Sequence, residues 1–302
     1  MRVGFIGLGA MGLPMARRVA AAGHPLHVLA HRNRAPVEEL AGLGAQEERT
    51  PAEVARRSEV VITILPADRE LREVALGPGG LREGFSAGKA LVEMTTATAF
   101  TVREVEAELS KEGVAVLDAP VSGGVTGAIH GTLTIMAGGE PSTLERLRPL
   151  LETMGRKIVL VGAVGQGKVV KMVNQVLAAV NLLAIGEAFA LGARCGADPR
   201  ILYEVIRTSS GHSAMMDSRV PEFLLEGRYE AGFRLDLMRK DLNLALDSAQ
   251  SLGIPLLFGS LAAQVFAAAS QAGRGEEDFS AAAAELGAMA GVELGKSKSG
   301  AG

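Results

Sequence analysis

The stretch M-R-V-G-F-I-G-L-G-A-M-G, residues 1–12, predicts the fold of the first half of the chain. Residues 2–6 are a short apolar run of the kind that forms a buried parallel strand, and a helical pattern follows over residues 11–22. Between them, Gly7, Gly9 and Gly12 have the spacing G-x-G-x-x-G. A strand, a glycine turn and a helix in this order form a dinucleotide pyrophosphate site. A glycine-rich turn in another α/β protein is the alternative.

Short apolar runs alternate with helical patterns through the first half of the chain. The predicted strands are residues 2–6, 26–30, 60–65, 90–93 and 114–118, followed by 133–137 and 158–161. Helical patterns between them include residues 35–43, 51–57, 100–112 and 142–154. This alternation favours a parallel, doubly wound sheet, so the fold class is α/β with an N-terminal Rossmann-type domain.

The second half of the chain has only helical patterns. A long helix is predicted over residues 164–194, and others over 200–208, 236–252, 255–272 and 276–290. We therefore predict a nucleotide-binding domain over residues 1–163, an all-α domain over 164–290 and a disordered tail over 291–302. The long helix is apolar around most of its circumference, which favours a homodimer or homotetramer unless the later helices cover it.

Composition excludes several classes of function. The net charge of −3 implies no general affinity for nucleic acid or an anionic membrane, and only 4% of residues are aromatic. The most apolar stretch contains Asn181 and Glu187, so we expect no membrane span. The single cysteine, Cys195, is expected to be a small buried residue and fits a reducing compartment. A cytoplasmic protein without a signal peptide or metal site is expected.

The end of the second predicted strand bears on the choice of cofactor. An NAD site commonly has an acidic residue there, which binds the ribose 2′-hydroxyl. This chain instead has His31, Arg32, Asn33 and Arg34. Because a guanidinium would bind a 2′-phosphate through charge-assisted hydrogen bonds, we predict NADP, with NAD possible if both arginines are only solvated.

Four later motifs add to the glycine turn. They are Leu-Pro at residues 65–66, Glu-Met-Thr-Thr at 93–96, Asp-Ala-Pro-Val-Ser-Gly-Gly at 118–124 and Gly-Gln-Gly-Lys-Val-Val-Lys-Met-Val-Asn-Gln at 165–175. Together, over roughly residues 1–290, they resemble the β-hydroxyacid dehydrogenase family. The resemblance implies an active site between a Rossmann-type domain and a helical domain. It also implies an oxidoreductase of the 3-hydroxyisobutyrate dehydrogenase or 2-hydroxy-3-oxopropionate reductase type, which with the cofactor predicted above would be NADP-dependent.

The resemblance also implies roles for individual residues. Lys171 falls on the catalytic lysine of the family, and Asn174 on its substrate-binding asparagine. Ser122, Gly123 and Gly124 match the loop that binds the substrate carboxylate. The positions implied to bind the cofactor are Gly7, Leu8, Gly9, Ala10, Met11, Gly12, His31, Arg32, Leu65, Pro66, Thr96 and Lys240.

The chain departs from the family pattern at three positions. Glu70 stands where some relatives carry an asparagine. The second strand ends in His31-Arg32, where relatives often have Asn-Arg. The usual Asn-Asn pair reads Asn174-Gln175, which leaves the role of the second amide open.

Elementary chemistry supports the implied roles. Successive glycine amides and the Ser122 hydroxyl can bind an anion. A tight turn without a ligand would have the same sequence pattern. Lys171, Asn174 and Gln175 share a helix face, which in another context would be a solvated stripe. In reduction Lys171 would donate a proton to the developing alkoxide.

Other functions remain open at this point. Within the same family these are a glyoxylate or succinic semialdehyde reductase, an aldonate dehydrogenase, a phosphogluconate-type decarboxylating enzyme and an imine reductase. From another class, a non-catalytic NADP-binding sensor would need the glycine turn but not Lys171, Asn174 and Ser122 together.

Overall fold

A computed structural model describes residues 1–230 and 232–295 of the chain, in two compact units that divide after Lys171. The described part of the first unit contains a nine-stranded sheet. Its strands are β1 (Val3–Ile6), β2 (Leu26–Leu29), β3 (Gln46–Glu48), β4 (Val60–Thr63), β5 (Ala90–Glu93), β6 (Ala115–Asp118), β7 (Val121–Ser122), β8 (Leu133–Gly138) and β9 (Gly155–Gly162).

The sheet is dominated by parallel pairs. Its order is β3-β2-β1-β4-β5-β6-β8, with β7 and β9 also paired to β8. The strands from β3 to β6 are parallel, β8 runs antiparallel to β6 and β7, and β9 is parallel to β8. The strand order reverses between β1 and β4, and ligands of open α/β sheets bind at such a switch point, beyond the carboxyl ends of the strands.

Helices cover both faces of this sheet. They are α1 (Gly12–Ala21), α2 (Ala35–Gly42), α3 (Pro51–Arg57), α4 (Asp68–Leu76), α5 (Ala99–Leu109), α6 (Gly124–His130) and α7 (Pro141–Leu151). Alternate residues of a strand enter different cores. Val60 and Ile62 belong to one core cluster, whereas Val61 belongs to another. This arrangement explains why the strands read as unbroken apolar runs in the sequence.

The second unit is helical. Helix α8 (Gln166–Arg194) begins in the first unit and continues into the second. It is followed by α9 (Pro199–Ile206), α10 (Ala214–Arg219), α11 (Leu235–Ser251), α12 (Leu257–Ala269) and α13 (Ala281–Met289). The core of this unit includes Phe189, Leu242 and Phe266, all fully buried. The α/β class, with a Rossmann-type part followed by a helical part, is therefore as predicted.

Several predicted boundaries differ from those observed. Helix α13 begins at Ala281 and not at residue 276, because the segment before it is bonded to another loop. The amide of Asp278 donates to the Tyr229 carbonyl, and the Asp278 carboxylate accepts from the Phe233 amide. The two units divide after Lys171, eight residues beyond the domain boundary predicted from the sequence at residue 163.

Within the tail predicted to be disordered over residues 291–302, Leu294 is buried in the core of the second unit. Residues 296–302 lie outside the described residues. Cys195 follows the end of α8 and is exposed, whereas burial was expected.

Among the described residues, α8 is the one helix long and apolar enough to cross a membrane, with a mean hydropathy of 1.9 over its most apolar window. The core helix of a soluble protein meets the same criterion. The length and composition of α8 therefore do not distinguish a membrane span from a core helix.

Candidate active site

The glycine turn leaves no room for side chains where the backbone segments meet. A Cβ on Gly7 would lie 2.0 Å from the Ile64 carbonyl oxygen, and one on Gly12 would lie 1.8 Å from the Gly7 carbonyl oxygen. Gly7 also has a φ of +100°, which L side chains rarely adopt. Around Gly9, in contrast, a Cβ would meet nothing within 4 Å. Gly7 and Gly12 thus allow the backbone segments to pack closely, whereas Gly9 faces open space.

The beginning of α1 is suited to an anion. No acidic residue lies in its first turn, and no side chain caps its amides. The partial positive charge of the helix N-terminus is therefore not offset by a local carboxylate. Leu8, Gly9 and Ala10 line a cavity of 360 Å³ together with Val125 and Ile129 of α6. Met11 is the residue immediately before α1. These residues fit a bound dinucleotide.

The two arginines beyond β2 differ in their surroundings. Arg34 donates two hydrogen bonds to the Glu47 carboxylate, at 3.1 and 2.9 Å, and this carboxylate raises the pKa of Arg34. Arg32 and His31 are exposed. His31 and Arg34 line a second cavity, of 490 Å³, at this end of β2. Arg32 is therefore the arginine whose charge is not already matched by Glu47.

The residues after β4 and β5 are joined by a hydrogen bond. The Leu65 amide donates to the Thr95 hydroxyl oxygen at 2.9 Å, and Thr95 is fully buried. Thr96 is half-buried and Pro66 is exposed. The structure therefore brings the predicted cofactor residues Leu65, Pro66 and Thr96 to one edge of the sheet, beside the switch point.

Asp118 holds the start of α8. Its carboxylate oxygens accept hydrogen bonds from the Gly165 amide at 2.8 Å and the Lys168 amide at 2.9 Å. Burial raises the pKa of Asp118, while Lys168 and the two amides act in the opposite direction. A carboxylate at the positive end of a helix also satisfies amides that have no partner within the helix.

A buried ion pair next to this carboxylate was not predicted from the sequence. Lys168 and Glu93 are 2% and 0% exposed, and their side chains form a salt bridge. The Lys168 ammonium also donates to the backbone carbonyls of Glu93 at 2.9 Å and Thr95 at 2.7 Å. Lys171, one helical turn further along α8, is 8% exposed.

The proposed carboxylate loop follows β7. Ser122 is the last residue of that strand and is half-buried. Gly123 has a φ of +130° and Gly124 a φ of +64°, and α6 begins at Gly124. Both conformations favour glycine, so two successive residues of this turn have no side chain that would cover their backbone amides.

The other predicted site residues lie in the second unit, where a chain of polar contacts joins them. The Asn174 amide group donates to the Gln175 side-chain oxygen at 3.1 Å, and the Gln175 amide group donates to Asp241 at 2.7 Å. The other oxygen of Asp241 lies 3.0 Å from the Lys240 ammonium. Gln175 therefore acts as a spacer between Asn174 and a buried carboxylate. Because a carboxylate only accepts hydrogen bonds, it also orients both amides.

Within the described residues, no group of three or more His, Cys, Asp or Glu side chains could hold a metal ion.

Both halves of the chain match known families. Residues 2–162 match the NAD binding domain of 6-phosphogluconate dehydrogenase. Residues 165–286 match the NAD-binding domain of NADP-dependent 3-hydroxyisobutyrate dehydrogenase. The chain is also 36% identical to a 2-(hydroxymethyl)glutarate dehydrogenase of Eubacterium barkeri, over 97% of each chain. It is 36% identical to a 2-hydroxy-3-oxopropionate reductase of Escherichia coli, over 97% of this chain and 100% of that one.

A solved structure with a similar fold is the 3-hydroxyisobutyrate dehydrogenase of Mycobacterium tuberculosis with L-serine. The TM-score is 0.87 at 34% sequence identity, over 95% of this chain and 99% of that one. The similarity therefore extends over nearly the whole chain and includes both units.

The glycine turn generates a prediction that separates binding from stability. Gly9→Ala should fold normally, because its Cβ would have open space, but should weaken dinucleotide binding by occupying the space of the phosphates. Gly12→Ala should destabilise the protein by about 1–3 kcal/mol, because its Cβ would overlap the Gly7 carbonyl. Urea unfolding and titration of NADPH fluorescence measure the two effects. Unchanged NADPH affinity in Gly9→Ala would contradict the assignment.

Proposed function

The chain belongs to the β-hydroxyacid dehydrogenase family, and from this we propose that it reversibly reduces a small carboxylate-bearing semialdehyde to its 3-hydroxy acid with NADP as cofactor. The similarity to these relatives identifies it as an NAD(P)-dependent 3-hydroxyacid dehydrogenase. The preference for NADP and the proton transfer by Lys171 are the parts that we add. The observation that carries the proton transfer is the burial of Lys171 on a helix whose first turn is tied to the carboxyl edge of the sheet. The preference for NADP is inferred from the exposed Arg32 beyond β2.

The residues of the glycine turn fit the nicotinamide cofactor that the family implies. Gly9 faces open space, and the first turn of α1 has no acidic residue. Leu65, Pro66 and Thr96 lie beside the switch point, where we propose that they support the cofactor. When bound, the nicotinamide would supply or accept the hydride.

In the proposed mechanism, Lys171 moves one proton. During reduction its ammonium donates to the oxygen of the substrate carbonyl as negative charge develops there, and during oxidation the neutral amine accepts the hydroxyl proton. We propose that Ser122 and the amides of Gly123 and Gly124 bind the substrate carboxylate, which fixes the distance to the reacting carbon.

Asn174 follows Lys171 by three residues on α8, and we propose that it orients the substrate. Its amide group donates to Gln175, so the Asn174 side-chain oxygen is the atom directed away from Gln175. That oxygen can accept a hydrogen bond from a substrate hydroxyl. For Lys240, paired with Asp241, we propose a contact with the cofactor.

The names of two relatives suggest the substrate class. Both 2-(hydroxymethyl)glutarate and 2-hydroxy-3-oxopropionate contain a carboxylate and a hydroxymethyl or aldehyde group. Glyoxylate, succinic semialdehyde and aldonates are the alternatives within the family. A non-catalytic NADP-binding sensor is the alternative outside enzymes.

The proposed activity is tested with NADPH and a panel of methylmalonate, tartronate and succinic semialdehydes and glyoxylate, followed by nicotinamide absorbance. We expect turnover with at least one of them, and Lys171→Ala should lower kcat by about 10²–10⁴-fold with NADPH affinity retained. Lys157→Ala, an exposed lysine of β9, is the control and should keep the wild-type rate. NADPH binding without turnover of any compound would favour the sensor, and a rapid Lys171→Ala variant would require another proton donor.

The preference for NADP should depend on Arg32. Arg32→Ala should lower kcat/KM for NADPH by about 10–10²-fold, which corresponds to the loss of hydrogen bonds to a charged group, and should leave NADH kinetics nearly unchanged. Arg34→Ala is the matched variant with a smaller expected effect, because Glu47 already binds that guanidinium. A wild-type enzyme that prefers NADH would refute the NADP assignment.

We also propose that the protein is a homodimer or homotetramer in a reducing compartment such as the cytoplasm, where the exposed Cys195 thiol would persist. Val170, Val173 and Leu177 form an exposed apolar stripe on α8, at helical spacing. Neither nucleic acid nor a membrane is proposed as a partner.

The stripe on α8 gives a test of self-association. Val173→Glu together with Leu177→Glu should reduce the mass measured by light scattering to that of a single chain, because charges would be buried at the interface. Leu43→Glu, at an exposed leucine of the first unit, should not change the mass. A wild-type protein with the mass of one chain would show that the proposal is wrong.

A further inference from the structure

The ion pair between Lys168 and Glu93 is unusual because both side chains are almost completely removed from water. An ammonium group has three protons to donate, and Lys168 has three acceptors within reach. These are the Glu93 carboxylate and the backbone carbonyls of Glu93 and Thr95. The Lys168 ammonium thus donates two hydrogen bonds to backbone carbonyls and forms an ion pair with the Glu93 carboxylate.

The same contacts extend to β4 and β5, two neighbouring strands on one side of the switch point. The second oxygen of the Glu93 carboxylate accepts from the Thr95 amide at 2.9 Å and the Thr63 hydroxyl at 3.5 Å. Thr95 in turn accepts from the Leu65 amide. The pair therefore connects the ends of β4 and β5 to the first turn of α8.

The first turn of α8 is also fixed from the other side. Asp118 accepts from the backbone amides of Gly165 and Lys168. A Cβ on Gly167 would lie 2.4 Å from the Met136 carbonyl oxygen of β8, so the helix lies directly against the sheet. Lys168 is thus held by its backbone and by its side chain at once. Lys171 follows it by one turn, a rise of about 4.5 Å along the helix axis.

Stability alone does not account for such a pair. Removing two charges from water costs about as much as their attraction returns, and apolar residues of similar volume are often at least as stable in the same place. What a buried pair with several hydrogen bonds to the backbone does provide is a restricted geometry for the segments that it joins. Those segments carry Lys171 and the loop residues Leu65 and Thr96.

From this arrangement we propose that Lys168 and Glu93 are positioning residues for the reaction. Together they set the location of the Lys171 ammonium relative to the loops after β4 and β5, on which the nicotinamide would rest. This inference rests on the proposed function, since it assigns the pair to proton transfer by Lys171. Neither Lys168 nor Glu93 touches the reacting atoms in this proposal. Each acts through another residue.

The experiment replaces the pair in two ways in the full-length protein. Lys168→Met should lower the Tm, because the buried Glu93 carboxylate loses its counter-charge. The double variant Lys168→Met with Glu93→Leu should recover much of that Tm, because no charge is then left buried. Its kcat should nevertheless stay about 10²-fold below wild type, with little change in substrate KM, because the proton donor is misplaced. A purely structural pair predicts recovery of kcat together with the Tm.

Two further variants support the comparison. Glu93→Gln keeps the size of the side chain and leaves Lys168 two carbonyl acceptors, so it should fold and should also lower kcat. Leu147→Ala, in the buried face of α7, should lower the Tm and keep kcat close to wild type. A double variant or a Glu93→Gln variant with wild-type kcat would overturn the proposal.

A readout independent of turnover separates this proposal from the proposed function. Absence of turnover by the wild-type protein with every compound of the panel would refute the function. In that case the emission spectrum of bound NADPH still reports the surroundings of the nicotinamide. A spectrum that differs between wild type and the double variant would support a positioning role, and identical spectra would overturn it.

Discussion

Backbone segments of the first unit pack directly against one another at the turn between β1 and α1, and the rest of the site is arranged around it. The Ile64 carbonyl oxygen occupies the place of a Gly7 side chain, and the Gly7 carbonyl occupies that of Gly12. Strand β1, strand β4 and helix α1 can therefore approach one another only with glycine at these two positions. The strand order reverses between β1 and β4, so this approach also determines where the crevice at the carboxyl edge opens.

Buried carboxylates hold the other side of that edge. Glu93 and Asp118 end neighbouring strands, and both are fully buried. The first turn of α8 supplies an ammonium to Glu93, and the amides at the start of this helix bind both oxygens of Asp118. An ionised carboxylate in such a place is tolerated only with partners of this kind, because desolvation otherwise favours its neutral form. The position of α8 therefore also determines how the two buried carboxylates are neutralised and hydrogen-bonded.

Local patterns in the sequence predicted the parts of this structure that depend on local chemistry. The unbroken apolar runs at β1, β4 and β5 followed from burial on both faces, and the glycine spacing followed from the turn itself. Strand β3 was missed because Gln46–Glu48 is polar and lies at the edge of the sheet, where no apolar pattern is required. The pairing of Lys168 with Glu93 could not be predicted, because the two residues are 75 positions apart and nothing in the spacing distinguishes Lys168 from a solvated lysine. The contact of Gln175 with Asp241, 66 positions apart, was missed for the same reason.

The way in which α8 begins has a practical consequence for dividing the chain into fragments. A fragment of residues 1–163, which the sequence pattern suggests as a natural unit, would lack the ammonium of Lys168 and the amides that Asp118 binds. Glu93 and Asp118 would then lose the partners that they have at the sheet edge. Such a truncated protein would expose this edge to water and lose solubility or cooperativity, even though all of its strands are present. The interactions that stabilise the dinucleotide-binding part of this chain therefore extend into helix α8 and do not stop at the loop before it.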